Sequence, residues 1–331
     1  MRPFKYTSAT DISTAMKSLA GNSGAKFLAG GTNLLDLMKE DVEHPNELID
    51  ITRLNLAQIK TIAGGGISIG GLGRNTETAN HPLVRQNFPL LTQAILAGAS
   101  GQIRNMATNG GNLLQRTRCT YFYDTAMPCN KRNPGSGCGA LEGINRMHAI
   151  FGWSEKCVAV YPSDMSVALS ALDAVIKVRN GGGQERNIPF TDFHRLPENK
   201  PEQDTNLAKD EMIIAIEIPK NNFADRSYYL KVRDRASYAF ALVSVAAALE
   251  MNGNKIVQAR IAMGGVAHKP WRAFKAEKML AGMDATEANF KMAADAEMAD
   301  AKPLEHNKFK VELGNRSIVR ALQMALTNGK S

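Results

Sequence analysis

Cys119, Cys129, Cys138 and Cys157 all lie in one stretch of the 331-residue chain, and it has no other cysteine. Thiols used only for packing scatter through apolar segments, because a free cysteine behaves as a small hydrophobe. Four of them confined to a turn-rich, polar stretch point to four ligands around one object. That object is an iron–sulfur cluster, a zinc ion or a pair of disulfides. The usual C-x₂-C pairs are absent, so spacing alone leaves iron–sulfur and structural zinc level. Disulfides rank behind, because a chain without an export signal is expected in a reducing compartment. Pro128, Pro134, Gly135, Gly137 and Gly139 make the middle irregular, as a ligand-bearing loop requires. Arg116, Arg118, Lys131 and Arg132 surround the thiols, and such cations offset the negative charge of a thiolate-ligated centre.

Two glycine-bearing segments suggest a second chemistry. Ala29-Gly30-Gly31-Thr32-Asn33-Leu34 reads as a strand end, a tight turn and a helix start that offers free backbone N–H groups to an anion. No Gly-Lys-Ser/Thr follows, so this is not a phosphate-binding loop of the Walker type, and Gly71 to Thr76 lacks the third glycine of a dinucleotide fingerprint. The plain alternative is an ordinary strand–turn–helix corner. Gln102 to Asn112 carries a second Gly-Gly pair flanked by hydrogen-bonding residues. Two such loops suggest a long, phosphate-bearing cofactor, and the alternative there is a solvated turn with Asn in left-handed conformations. His148 and His268 form no catalytic arrangement, and no nucleophile elbow appears. Met292 and Met298 near the C-terminus read as packing.

The elements that must position these groups alternate along the chain. Strands are expected at Phe4–Tyr6, Ala25–Ala29, Glu47–Ile51, Ile67–Gly70, Ala174–Val178 and Ile213–Ile218. Helices are expected from Asp11 with Thr10 as cap, from Leu34, over Pro89–Ala97, and after Ser163-Asp164. Ala99–Asn112 reads as a loop, and Asn221–Asp225 as a domain boundary. Beyond it come strands at Tyr228–Val232 and Lys255–Met263, a segment Phe240–Leu249 that fits a helix or a buried strand, and helices near 285–299 and 308–327.

The bulk properties narrow the function. With 44% hydrophobic and 22% charged residues the chain can bury the cores of two or three domains. The net charge of +8 is spread among acids without a basic block, which argues against nucleic acid; a basic face for an acidic protein partner is one use among others. No run of 18 apolar residues exists for a membrane span. The N-terminus lacks a secretory h-region, so export would require travel with a signal-bearing partner.

Taken in order, Pro3-Phe4-Lys5-Tyr6, Ala29 to Lys39, Gln102 to Asn112, Ser163-Asp164, Tyr229 to Ala246 and Gly264 to Arg272 resemble the FAD-binding subunit of the molybdenum hydroxylases, the xanthine dehydrogenase / aldehyde oxidoreductase family. Leu113 to Gly143 resembles the four-cysteine insertion of the flavoprotein subunit of bacterial aldehyde oxidoreductases. A similar insertion marks 4-hydroxybenzoyl-CoA reductase, the competing relative. The resemblance implies an α+β fold. It comprises two α/β FAD-binding subdomains of the vanillyl-alcohol-oxidase type (about 1–58 and 59–222, with the insertion at about 113–160) and a C-terminal α+β domain over 223–331.

It further implies FAD and a [4Fe-4S] cluster on Cys119, Cys129, Cys138 and Cys157. Lys26, Phe27, Leu28, Ala29, Gly30, Gly31, Thr32, Asn33 and Leu34 would cradle the diphosphate. Thr108, Gly110, Gly111 and Asn112 would line the flavin and its polyol chain, Asp164 would accept hydrogen bonds from that chain, and Ile213 and Lys231 would lie near the ring. Tyr238 stands where many relatives have Asp. The implied assembly is a heterotrimer with a large molybdenum subunit and a small [2Fe-2S] subunit. It would pass electrons to a quinone, ferredoxin, oxygen or NAD, in the periplasm after co-export or in the cytoplasm. A stand-alone FAD oxidase and a structural zinc protein are the readings from other classes.

Overall fold

The computed structural model describes residues 1–328; residues 329–331, the end of the expected second domain, lie outside the described residues. Three sheets organise it. Strands β1 (Lys5–Ser8), β2 (Ala25–Leu28) and β3 (Glu47–Asp50) are parallel, in the order β1–β3–β2. Parallel neighbours need crossover connections, and the helices Ile12–Ala20 and Leu34–Lys39 supply them. The first of these begins at Ile12 and is capped by Asp11, not by Thr10 as expected. The Asp11 carboxylate accepts from both the backbone N–H and the hydroxyl of Thr14, three residues on.

The second sheet holds β4 (Ile59–Thr61), β5 (Ile67–Gly70), β6 (Val175–Asn180), β7 (Glu185–Pro189) and β8 (Glu211–Ile218), antiparallel, in the order β4–β5–β8–β6–β7. The third holds β9 (Ser227–Val232), β10 (Val243–Asn252), β11 (Lys255–Gly264) and β12 (Trp271–Arg272), in the order β12–β11–β10–β9. Helices Phe274–Leu280, Glu287–Met298 and Phe309–Asn328 pack their buried faces with this sheet's outer side. Met298 is buried there as a packing residue, whereas Met292 is exposed. The ambiguous run before Leu249 is strand. β10 is central, with neighbours on both edges and apolar layers on both faces, so it is buried from Val243 to Leu249 and shows no alternation.

The helix Asp164–Ala171 is buried from Met165 onward. Its Met165, Val167, Ala168 and Leu169 share one core with Ile176 and Ile216 of the second sheet and with Ala246 and Ala262 of the third. A helix that is apolar all round belongs between layers. One core therefore runs across the Asn221–Asp225 connection.

The expected loop Ala99–Asn112 instead contains two short helices, Gly101–Met106 and Asn109–Leu113. Ser100 and Thr108 cap them by accepting from the N–H groups of Ile103 and Gly111. Among the described residues no helix is long and apolar enough to cross a membrane.

Candidate functional site

A cleft of about 1260 Å³ opens where the first sheet, the short helices after Ala99, the second sheet and β9 meet. Pockets for drug-sized ligands run from roughly 300 to 1,000 Å³, so this one has room for a dinucleotide. All the residues expected to touch FAD line it: Lys26 to Leu34, Thr108, Gly111, Asn112, Asp164, Ile213 and Lys231.

The cradle itself is main chain. Gly31 has a left-handed φ of 72°. A methyl at Gly30 would be driven into the carbonyl of Met106, so the two glycine-bearing segments touch backbone to backbone. The N–H groups of Gly30, Gly31, Thr32 and Asn33 donate to no protein acceptor among the described hydrogen bonds. Consecutive free N–H groups form an anion-binding concavity. Asn33 adds a side-chain amide nitrogen that is buried and has no protein partner. These unmet donors fit a diphosphate.

The second segment is held rigidly by amides. The Asn109 carboxamide donates to Gly70 O and the Thr78 hydroxyl and accepts from Asn75, with Asn109 fully buried. Asn112 donates to Asn75 and accepts from the Ser163 hydroxyl, which in turn caps the helix Asp164–Ala171. Thr108 is itself spent as a helix cap.

Across the cleft, Lys231 Nζ meets Asp164 at 2.8 Å and Ala97 O at 3.0 Å, while the Tyr229 hydroxyl donates to the other Asp164 oxygen at 2.7 Å. The expected flavin contacts Asp164 and Lys231 thus form one buried ion pair joining both halves of the chain. Two arginines that were not expected as cofactor contacts also line the cleft. Arg104 donates only to the carbonyls of Gly98 and Ala99. Arg118 stacks on Phe240 and donates to the Tyr123 hydroxyl. Both leave positive charge facing the cleft without a carboxylate partner among the described residues.

The four thiols are free. Cys129 and Cys138 face each other across an antiparallel bridge, and Cys157 forms another with Ser154. Cys119 Sγ lies 3.1 Å from His148 Nε2. Burial pushes the Cys119 thiol up to about 12 and the Cys157 thiol up to about 11; neighbouring cysteines push the same way, and Lys131 opposes at Cys157. The soft donor set suits iron–sulfur or zinc. Among the described residues no three His, Cys, Asp or Glu side chains are closed to metal-ligating distance. The expected cations are largely spent on structure. Lys131 pairs with Asp204 at 2.5 Å, Arg116 bridges Asp204 and Glu43, and Arg132 donates to backbone carbonyls of the insertion. Against the burial that would raise it, Lys131 and Arg116 hold the Asp204 carboxyl at about 2.

His194 is fully buried behind this wall, its Nε2 at 2.9 Å from Leu113 O and its ring 4.2 Å from that of Tyr161. Burial lowers it to about 4. A group depressed on folding stabilises above its unfolded value, about 6.5 for His, and loses that contribution as pH falls toward 4. Calorimetry should show Tm dropping between pH 6.5 and 4. His194→Gln should remove roughly 3 kcal/mol of that dependence; an unchanged acid limb would count against a buried neutral His194.

The geometry agrees with the comparisons. The family described as "FAD binding domain in molybdopterin dehydrogenase" matches residues 2–221, and "CO dehydrogenase flavoprotein C-terminal domain" matches residues 228–325. The chain is 48% identical over 325 residues to the aldehyde oxidoreductase FAD-binding subunit PaoB of Escherichia coli K12, covering 98% of this chain and 99% of that one. It is 31% identical to the glyceraldehyde dehydrogenase medium chain of Sulfolobus acidocaldarius, over 84% of this chain and 81% of that one. The fold matches carbon monoxide dehydrogenase of Hydrogenophaga pseudoflava with a TM-score of 0.77 at 24% identity, covering 99% and 98% of the two chains. With a family model over residues 2–221, a second over its C-terminal part and a near-full-length relative at 48% identity, the chain belongs to the FAD-binding subunits of the molybdenum hydroxylases, a family of oxidoreductases.

Proposed function

We propose that the chain is the FAD-bearing electron-transfer subunit of a molybdenum-dependent aldehyde oxidoreductase, and that its four cysteines hold a [4Fe-4S] cluster. The cluster reading is supported by four free thiols in one segment of the chain, of which Cys119 lines a chamber that borders the flavin cleft. This second chamber of about 590 Å³, lined by Cys119 and His148, shares Arg118, Ser163, Asp164 and Phe240 with that cleft. The aldehyde reading is supported by the likeness to PaoB. Bound FAD would supply the two-electron chemistry, and the protein supplies its position and electrostatics. Gly30 to Asn33 hold the diphosphate through their free N–H groups, with Lys26 to Leu34 forming the surrounding wall. Thr108, Gly111 and Asn112 shape the floor under the polyol chain. Ile213 presents an apolar contact to the ring, and the Asp164–Lys231 pair fixes the wall beside it. Electrons would arrive from a large molybdenum subunit through a small [2Fe-2S] subunit and leave to an external acceptor.

The cysteines with raised pKa values are protonated at neutral pH until a metal centre displaces the protons. Anaerobically purified protein is expected to show flavin bands and about four irons per chain, the complement of one cubane. Cys138→Ser or Cys157→Ser should remove most of the iron. Zinc in place of iron, or neither metal, would overturn the cluster while leaving the flavin fold intact.

A further inference from the structure

We infer that Arg116 is a positioning residue that couples the cysteine segment to the FAD cradle, so that disorder in the one weakens cofactor binding in the other. The inference rests on FAD docking at Gly30 to Asn33. It does not depend on which metal the thiols hold.

Five charged side chains run from the thiols to the cradle with alternating sign. Lys131, two residues from Cys129 and 4% exposed, donates to Asp204 at 2.5 Å and to Pro201 O at 2.6 Å. Asp204 accepts from Arg116 Nε at 2.8 Å. Arg116 Nη1 reaches Glu43 at 2.9 Å, and Glu43 holds Lys26, at the base of the cradle, at 2.5 Å. Each inner member has an opposite charge on both sides, so removing one takes a partner from each of its two neighbours.

Arg116 also acts through its backbone. Its N–H donates to Asn33 Oδ1 at 2.8 Å. An N–H can only donate, so the Asn33 carboxamide is held with its oxygen toward Arg116. The amide Nδ2 is thereby turned away as a donor that no protein group satisfies. The cradle's buried side-chain donor, the Asn33 amide, is thus oriented by the residue that opens the cysteine segment. An apolar tie runs in parallel. Arg116 lies 4.8 Å over the Phe122 ring, and Phe122 packs in one cluster with Cys129 and with Leu37 and Val42, which follow the cradle. None of these contacts requires bound metal.

The test is a cycle of FAD dissociation constants, measured by flavin fluorescence on the deflavinated full chain. Lys131→Met touches neither the cradle nor a thiol. It is expected to weaken FAD about tenfold, a typical coupling for networks of this kind. In an Arg116→Gln background the same change should cost less than about twofold, because the route is already cut. Asp204→Asn, which keeps side-chain volume, should reproduce the tenfold loss if Lys131→Met fails to fold. Equal losses in both backgrounds, or no loss in the first, would overturn the coupling. Gly30→Ala reports the cradle separately: unchanged FAD affinity in it would show that the cofactor docks elsewhere and would remove the basis of the inference. Iron and zinc content, read on the same samples, reports the thiol site independently.

Discussion

Gly30→Ala is expected to weaken FAD binding roughly 5- to 150-fold, the equivalent of 1–3 kcal/mol. The added methyl meets a backbone carbonyl, that of Met106, and not the end of a flexible side chain. Met106 O is itself held by the Arg74 guanidinium, and Ala107 O by the N–H of Asn75, so the facing segment cannot simply retreat. The cradle must open instead, and its free N–H groups leave the positions a diphosphate needs. Gly101→Ala is the control. It lies on the same facing segment, yet its methyl would meet nothing within 4 Å, and it should bind FAD as before. Titration of the deflavinated protein checks both. Equal affinities for the two variants would show that backbone contact at Gly30 does not shape the cofactor site.

Lys231→Met should destabilise even the FAD-free protein by about 3–5 kcal/mol, the usual effect of stranding one member of a buried pair. Its Nζ and the Asp164 carboxylate are almost wholly enclosed, with side chains 4% and 9% exposed. Asp164 would keep the Tyr229 hydroxyl as its remaining strong donor. Removing both charges, as Lys231→Met with Asp164→Leu, should recover most of the loss, because a buried pair and its apolar replacement are often close in energy. Urea unfolding of the three variants measures this. If the double variant is as unstable as the sum of the singles, the two side chains do not act as a pair.

Much of this site was legible in the sequence because its logic is local. Glycines that permit close approach and a Ser-Asp cap are features of short segments, and both lie where the pattern put them. The failures share a cause as well. The alanine-rich run before Leu249 has no period of two, because β10 is enclosed on both faces, and only its neighbours β9 and β11 decide that it is a strand. The stretch from Ala99 to Asn112 looked like loop because its glycines and asparagines outweighed two cap signals, Ser100 and Thr108, each three residues before the N–H it receives. The cations around the thiols were read as free charge. Their partners, Glu43 and Asp204, lie far away in sequence, and no local pattern announces them. The Asp164–Lys231 pair was hidden for the same reason: both members were named, but for a cofactor and not for each other.

The buried helix Asp164–Ala171 has a consequence for the timing of biogenesis. One of its faces is covered by strands that end at Gly264, more than ninety residues later in the chain. At roughly 5–20 residues per second, a ribosome needs about 5 to 20 seconds to deliver them. During that interval one apolar face of the helix in the nascent flavin half is uncovered, and the lysine that will meet Asp164 is not yet in place. Cofactor insertion is therefore expected only after β9 to β11 have been made. The nascent intermediate is thus expected to be more aggregation-prone than the finished subunit.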